Sequence, residues 1–295
     1  MKWRLLKDSI ATKSMRLILV LTNLLVLLII IGLLIKGKPI LSQKSILELL
    51  FSSAWHPMKG QFGFYPFIIG TLEVTALAMI MAVPVCLLSA IYLAEYAHRR
   101  VREILRPVID VLAGIPSVIY GLWGVIVIVP LVRWIGQMTG NVTSGYNLLS
   151  GGIVLAIMVF PFIISVSTEV LLTVPIEARE VSLALGATRW ETVKHVVLRS
   201  AMRGVLAAIV LGFARAFGET MAVLMVVGNV AKVPKSIFDP AYPLPALIAN
   251  NYGEMMSIPL YDSALMLAAL ILLVIVTIFN LGAHLTLVGI ERRNR

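Results

Sequence analysis

Arg215 and Glu219 stand four residues apart in one long apolar run, a spacing that on a helix brings two side chains onto one face within pairing distance. About 12 residues into such a run, an arginine is roughly 18 Å from the nearer end, close to mid-bilayer. There it costs on the order of 2.5–3.5 kcal/mol unless it faces water or a partner. A paired guanidinium keeps N–H groups free, and its planar fork matches the oxygens of a phosphate-like anion. The chemistry on offer is transient recognition. Glu219 would hold the arginine and limit its attraction, so that a dianion passes instead of being trapped. The plainer alternative is an ion pair that only packs helices. Glu73, about seven residues into another apolar run and roughly 10 Å deep, either lines an outer vestibule or bonds to Thr71 or Thr75. With Thr71 it completes the candidate pathway set.

Other chemistry has little to work with. His56, His98, His195 and His284 are scattered, Cys86 is the single cysteine, and His-Glu-x-x-His is absent, so no metal ligand set is expected. Lacking Gly-x-Ser-x-Gly, the chain offers no acyl-enzyme elbow. Lacking Gly-x-x-x-x-Gly-Lys-Ser/Thr, it cannot cradle ATP in a P-loop. Neither a cofactor nor catalysis is expected, and any energy input must come from a partner.

The elements that must position these residues are set by composition. Of 295 residues 59% are hydrophobic and only 14% charged, with mean hydropathy +0.96. A soluble domain is about a quarter charged, so most of this surface faces lipid. Six runs can cover the roughly 20 residues of an apolar core: 17–35, 66–96, 107–131, 150–172, 203–228 and 263–289. An all-α integral membrane protein with six transmembrane helices is expected. The net charge of +10 does not point to nucleic acid, because its basic residues sit in short clusters between spans. With both termini inside, 17 Lys and Arg fall in inner segments and seven in outer ones. That asymmetry favours cytoplasmic termini. The organisation expected is a basic N-terminus (1–16), a first, uncleaved helix (17–35), an external segment (36–65), a five-helix core (66–289) and a basic tail (290–295).

The largest inner loop, 174–203, carries its own structure. Pro175 suits a first helical turn, Gly186 a C-terminal stop, and Thr188-Arg189-Trp190-Glu191 a capping box that starts a second helix. Trp190, Val193 and Val197 then recur at helical spacing. The apolar face they form either docks into a groove on a partner or lies against the chain's own membrane ends.

Within this loop, Glu180-Val181-Ser182-Leu183-Ala184-Leu185-Gly186 resembles the EAA motif of ABC importer permeases, with Val181 and Ser182 in place of two alanines and Arg199 in place of the closing proline. Three further stretches resemble the phosphate-importer permeases within that family. They are 61–72, where Gln61-Phe62-Gly63 and Gly70-Thr71-Leu72 stand, then Tyr92-Leu93-Ala94-Glu95-Tyr96-Ala97 with Asp110 to Gly124, and then Gly218-Glu219-Thr220-Met221-Ala222. The approach from Trp55 to Gly63 looks more like PstC-type subunits than their PstA-type paralogues. The resemblance implies a type I ABC importer (MetI-like) permease fold. It implies a second, PstA-like permease, a PstB-like ATPase dimer docked on the helix pair, a PstS-like external binding protein, and inorganic phosphate as cargo. Glu180, Ser182, Ala184, Gly186, Trp190, Val193 and Val197 would couple the chain to the ATPase. The PstA-type subunit, a permease for another oxyanion, and a stand-alone secondary carrier or channel are the alternatives.

Overall fold

The computed structural model describes residues 2–254, 258 and 260–293 and is almost wholly helical. Six helices are long and apolar enough to cross a membrane: Lys7–Gln43, Tyr65–Tyr96, Ser117–Met138, Leu148–Leu172, Arg189–Phe217 and Tyr261–Ala283. Helix α1 (Lys2–Gln43) is continuous through Lys36 and Lys38, so the segment expected outside the spans at 36–65 begins only after residue 43. Most of its apolar side chains are exposed, which suits lipid. It is moored near its end, where the Ile40 N–H donates to Ser263 Oγ at 3.1 Å. Helix α2 (Ile46–Phe51) and the hairpin β1–β2 (Trp55–His56 with Gln61–Phe62) follow. An aromatic cluster seats the hairpin, with Trp55 4.8 Å from Phe67 and 6.0 Å from Tyr261 between ring centres.

The centre of the bundle is α3 (Tyr65–Ile91) against α7 (Leu148–Leu172). Val74, Ala78, Ala82, Cys86 and Ala90 recur every fourth residue and are all buried. This stripe of mostly small side chains lets the two backbones approach closely, the usual basis of helix packing in lipid. Helix α3 runs on through a π-helical turn, Tyr92–Tyr96, to the end of the bundle that also carries the basic loops.

The third span does not run over 107–131. Helix α4 (Arg99–Gly114) stops short, Ile115 is extended before Pro116, and α5 (Ser117–Trp123) starts afresh, leading through a π-turn into α6 (Val129–Met138). A residue before proline is driven out of the helical region, which ends α4 here. Helix α4 presents arginines on one side and exposed Ile104, Val108 and Val111 on another, as an interfacial helix does.

Helices α8 (Ile176–Ala184) and α9 (Arg189–Thr192) form the helix pair, and α9 continues through a π-turn into α10 (Leu198–Phe217). Gly204 and Gly212 let α10 cross α7, since a Cβ at either would strike Val170 or Ile163. The span expected at 203–228 ends instead at Phe217. Beyond it come α11 (Met221–Leu224), an irregular stretch, α12 (Leu244–Asn251) and α13 (Tyr261–Arg293). Of the tail expected at 290–295, residues 294 and 295 lie outside the described residues.

Candidate translocation and coupling sites

Helix α10 ends at Phe217, inside the bundle. Arg215 lies over the ring of Phe162, 5.5 Å from its centre. Phe162 is about 15 Å from the Leu172 end of α7 and about 21 Å from the Leu148 end at 1.5 Å per residue. Mid-depth placement of Arg215 therefore holds. The pairing with Glu219 does not: no ion pair joins them among the described residues. Their i, i+4 relation needs an unbroken helix, and Gly218, a poor helix former, ends α10 between them. Glu219 turns forward instead, its Oε1 accepting the Ala222 N–H of α11 at 3.1 Å. Arg215 is left exposed on this chain. At mid-depth such a guanidinium must meet water or another subunit.

Irregular backbone at membrane depth needs internal partners. The stretch after α11 has them: Ala241 donates to Val227 O (3.0 Å), Asn147 to Val226 O (3.2 Å) and Leu148 to Asp239 O (2.9 Å). The Leu244 N–H donates to Thr71 Oγ1 at 2.9 Å, while that hydroxyl donates to Phe67 O at 2.7 Å. Thr71, Thr75, Glu219, Val223, Pro243 and Pro245 line one small pocket. Two predicted pathway residues, Thr71 and Glu219, thus come together beside the helix break. Glu73 does not join them. Two positions along α3, it opens into another cleft with Lys235 and Ser236. Its buried Oε2 has no hydrogen-bond partner, so the expected bond to Thr71 or Thr75 is not formed.

At the basic end the helix pair is closed by local rules read correctly from sequence. Gly186 has φ +86° with open space around its Cβ position, so backbone conformation alone demands glycine. Gly186 donates to Leu183 O (3.0 Å) and Ala187 to Ser182 O (3.2 Å), which completes a Schellman stop. Thr188 and Glu191 exchange the capping-box bonds, the Thr188 N–H reaching Glu191 Oε2 at 2.7 Å and Glu191 N–H reaching Thr188 Oγ1 at 3.3 Å. The hydroxyls of Ser182 and Thr192, 3.0 Å apart, tie α8 to α9. Thr188→Ala removes the cap of a very short helix. The expected cost is about 1 kcal/mol, read as a fall of a few degrees in the melting temperature of the purified protein.

The apolar face divides. Trp190 is 51% exposed, while Val193 (1%) and Val197 (0%) are buried against Ala90, Ile91, Leu171 and Val174. The expectation that Val193 and Val197 offer a surface to an ATPase is therefore corrected. They bind the pair to its own bundle, because the second helix continues into a span and must turn one side inward. The exposed large apolar groups of the pair are Ile176, Val181, Leu183, Leu185 (84%) and Trp190, with Glu180 and Ala184 also at the surface. An ion pair between Glu95 and Arg179, 2.8 Å apart, holds α8 to the end of α3. No local spacing signals a pairing between residues 84 positions apart, although Glu95 stands in one of the resembling stretches.

Residues 86–293 match the family described as binding-protein-dependent transport system inner membrane component. The chain belongs to this family. Among its relatives, the phosphate transport system permease protein PstC of Xylella fastidiosa (strain 9a5c) is 38% identical over 258 residues, covering 82% of this chain and 79% of that one. A probable ABC transporter permease of Bacillus subtilis (strain 168), YqgH, is 41% identical over 239 residues, covering 80% and 76%. The inward-facing MetNI methionine ABC transporter shares the fold at a TM-score of 0.59 and 18% identity, covering 80% of this chain and 99% of that one. The permease is thus a multi-pass inner membrane protein of PstC type with a MetI-like fold, a transport subunit of a family that carries no catalytic role. As an ABC permease it works with an ATPase and a binding protein.

Proposed function

We propose that the permease forms half of the pathway of an ATP-driven importer of inorganic phosphate, beside a PstA-like second permease, with a PstB-like ATPase dimer and a PstS-like external binding protein. The single observation that carries this reading is Arg215, exposed at mid-depth on the face beside a broken helix. A guanidinium there is expensive against lipid and suited to an oxyanion in a shared, wetted path. Both termini and the helix pair lie in the cytoplasm, as the excess of Lys and Arg at that end favours. ATP binding closes the ATPase dimer and draws the two docked helix pairs together. The transmembrane helices then rock outward, and phosphate delivered from outside passes Arg215.

Liposomes holding all partners test this. Phosphate uptake requires ATP, the binding protein and both permeases, and the chain alone gives none. Uptake by the chain alone, driven by an ion gradient and indifferent to ATP, would replace this reading with that of a secondary carrier.

A further inference from the structure

The π-helical end of α3 is gripped from three elements. A π-turn widens the helix, and such turns recur at functional positions. Here the carbonyls of Leu93 and Ala94 accept from Arg102 of α4 at 2.8 and 2.7 Å. The carbonyl of Glu95 accepts from Arg189 of α9, whose guanidinium lies 4.7 Å over the ring of Tyr96. The Glu95 carboxylate accepts from Nη2 of Arg179 at 2.8 Å and from its Nε at 3.1 Å. Arg179 also donates to the carbonyls of Leu171 and Val174 where α7 ends. The side chains of Arg179 and Glu95 are 18% and 9% exposed, whereas every other ion pair among the described residues lies nearer the surface. A sheltered, two-pronged pair holds its geometry far better than a solvated one.

The two ends of α3 explain why this grip matters. From Glu95 it is 24 residues, about 36 Å along the helix, to Thr71, whose hydroxyl holds the Leu244 N–H at the wall of the Glu219 pocket. The helix pair has two outputs. Helix α9 runs without interruption through its π-turn into α10, which carries Arg215. Helix α8 reaches α3 through Arg179 and Glu95. We propose that Glu95 and Arg179 are positioning residues of the transport cycle: their pair fastens α8 to the end of α3, so that a stroke at the helix pair moves the Thr71–Leu244 wall together with Arg215. With the pair broken, only the Arg189 and Arg102 contacts carry the stroke to α3, the Thr71–Leu244 wall follows Arg215 incompletely, and the pathway fails to open in step. This rests on the ATP-driven reading above.

The test is the ratio of phosphate carried to ATP hydrolysed in the fully reconstituted complex. In Glu95→Gln and Arg179→Gln that ratio falls at least about tenfold, within the usual range of coupling between sites, while hydrolysis stays close to the parent level. Arg179→Lys keeps the charge but loses the fork, and gives an intermediate ratio. Cysteines at 95 and 179, bridged by a short bis-maleimide, restore the ratio, and Cys86 does not interfere because it is fully buried. An unchanged ratio in Glu95→Gln, a parallel fall of hydrolysis and transport, or a bridge that restores nothing overturns the proposal. Absence of ATP-dependent uptake in the parent complex would instead overturn the transport reading, so the two failures are distinct.

Discussion

Arg215→Gln lowers ATP-driven phosphate uptake by about a hundredfold while leaving the protein assembled in the membrane. The guanidinium lies at mid-depth, is exposed on this chain, and rests over the face of Phe162. Folding of the chain therefore loses little when it goes. Recognition loses more. Truncating one partner of a desolvated charge pair costs on the order of 2–5 kcal/mol, and at 1.4 kcal/mol per tenfold about a hundredfold sits in the lower half of that range. Arg215→Lys, a point charge without the fork, recovers part of the rate. Glu219→Gln has a smaller effect, because an amide oxygen still accepts the Ala222 N–H that Glu219 holds. Radiolabelled phosphate uptake in proteoliposomes, with ATP hydrolysis followed in parallel, is the measurement. Normal uptake by Arg215→Gln would remove the arginine from the pathway.

Leu185→Asp prevents the ATPase from joining the complex. Leu185 stands 84% exposed just ahead of Gly186, on a helix pair that also exposes Val181 and Trp190 and whose turn is closed within this chain. The Schellman stop, the capping box and the Ser182–Thr192 contact fix that turn, so little ordering cost remains at docking. A carboxylate at the centre of an apolar contact stays unpaired when buried, and central interface residues of this kind carry about 2–4 kcal/mol. The expected loss of ATPase affinity is about thirtyfold to several hundredfold, seen as failure to co-purify with the chain still present in the membrane. Trp190→Ala acts in the same direction. Val197→Asp is the contrasting control, because Val197 is buried in the bundle and its loss removes the protein itself. Retained co-purification of Leu185→Asp would move the docking surface elsewhere.

Much of this architecture was legible before any coordinates. In lipid a backbone must satisfy itself within each segment, so a long apolar run is a helix almost regardless of neighbours, and all six spans were found. The turn between α8 and α9 was equally plain, since the bonds that stop α8 and start α9 join residues at most five apart. Two of the misplaced boundaries share one cause. At Pro116 and at Gly218 hydropathy continues while the helix does not, and a hydropathy reading averages over a single breaking residue.

The sequence by itself determined the class of protein, its spans, the asymmetry of its basic loops and the folded helix pair, because these follow from composition and from hydrogen bonds between near neighbours. Tertiary structure alone decided which groups meet. Thr71 took Leu244, Val193 and Val197 turned inward, and Glu95 found Arg179. Apolar residues look alike to a periodicity argument whether they face lipid, a partner or their own bundle. Only packing several helices around α3 and α7 distinguishes those faces, by closing the space on one side of each and leaving the other open.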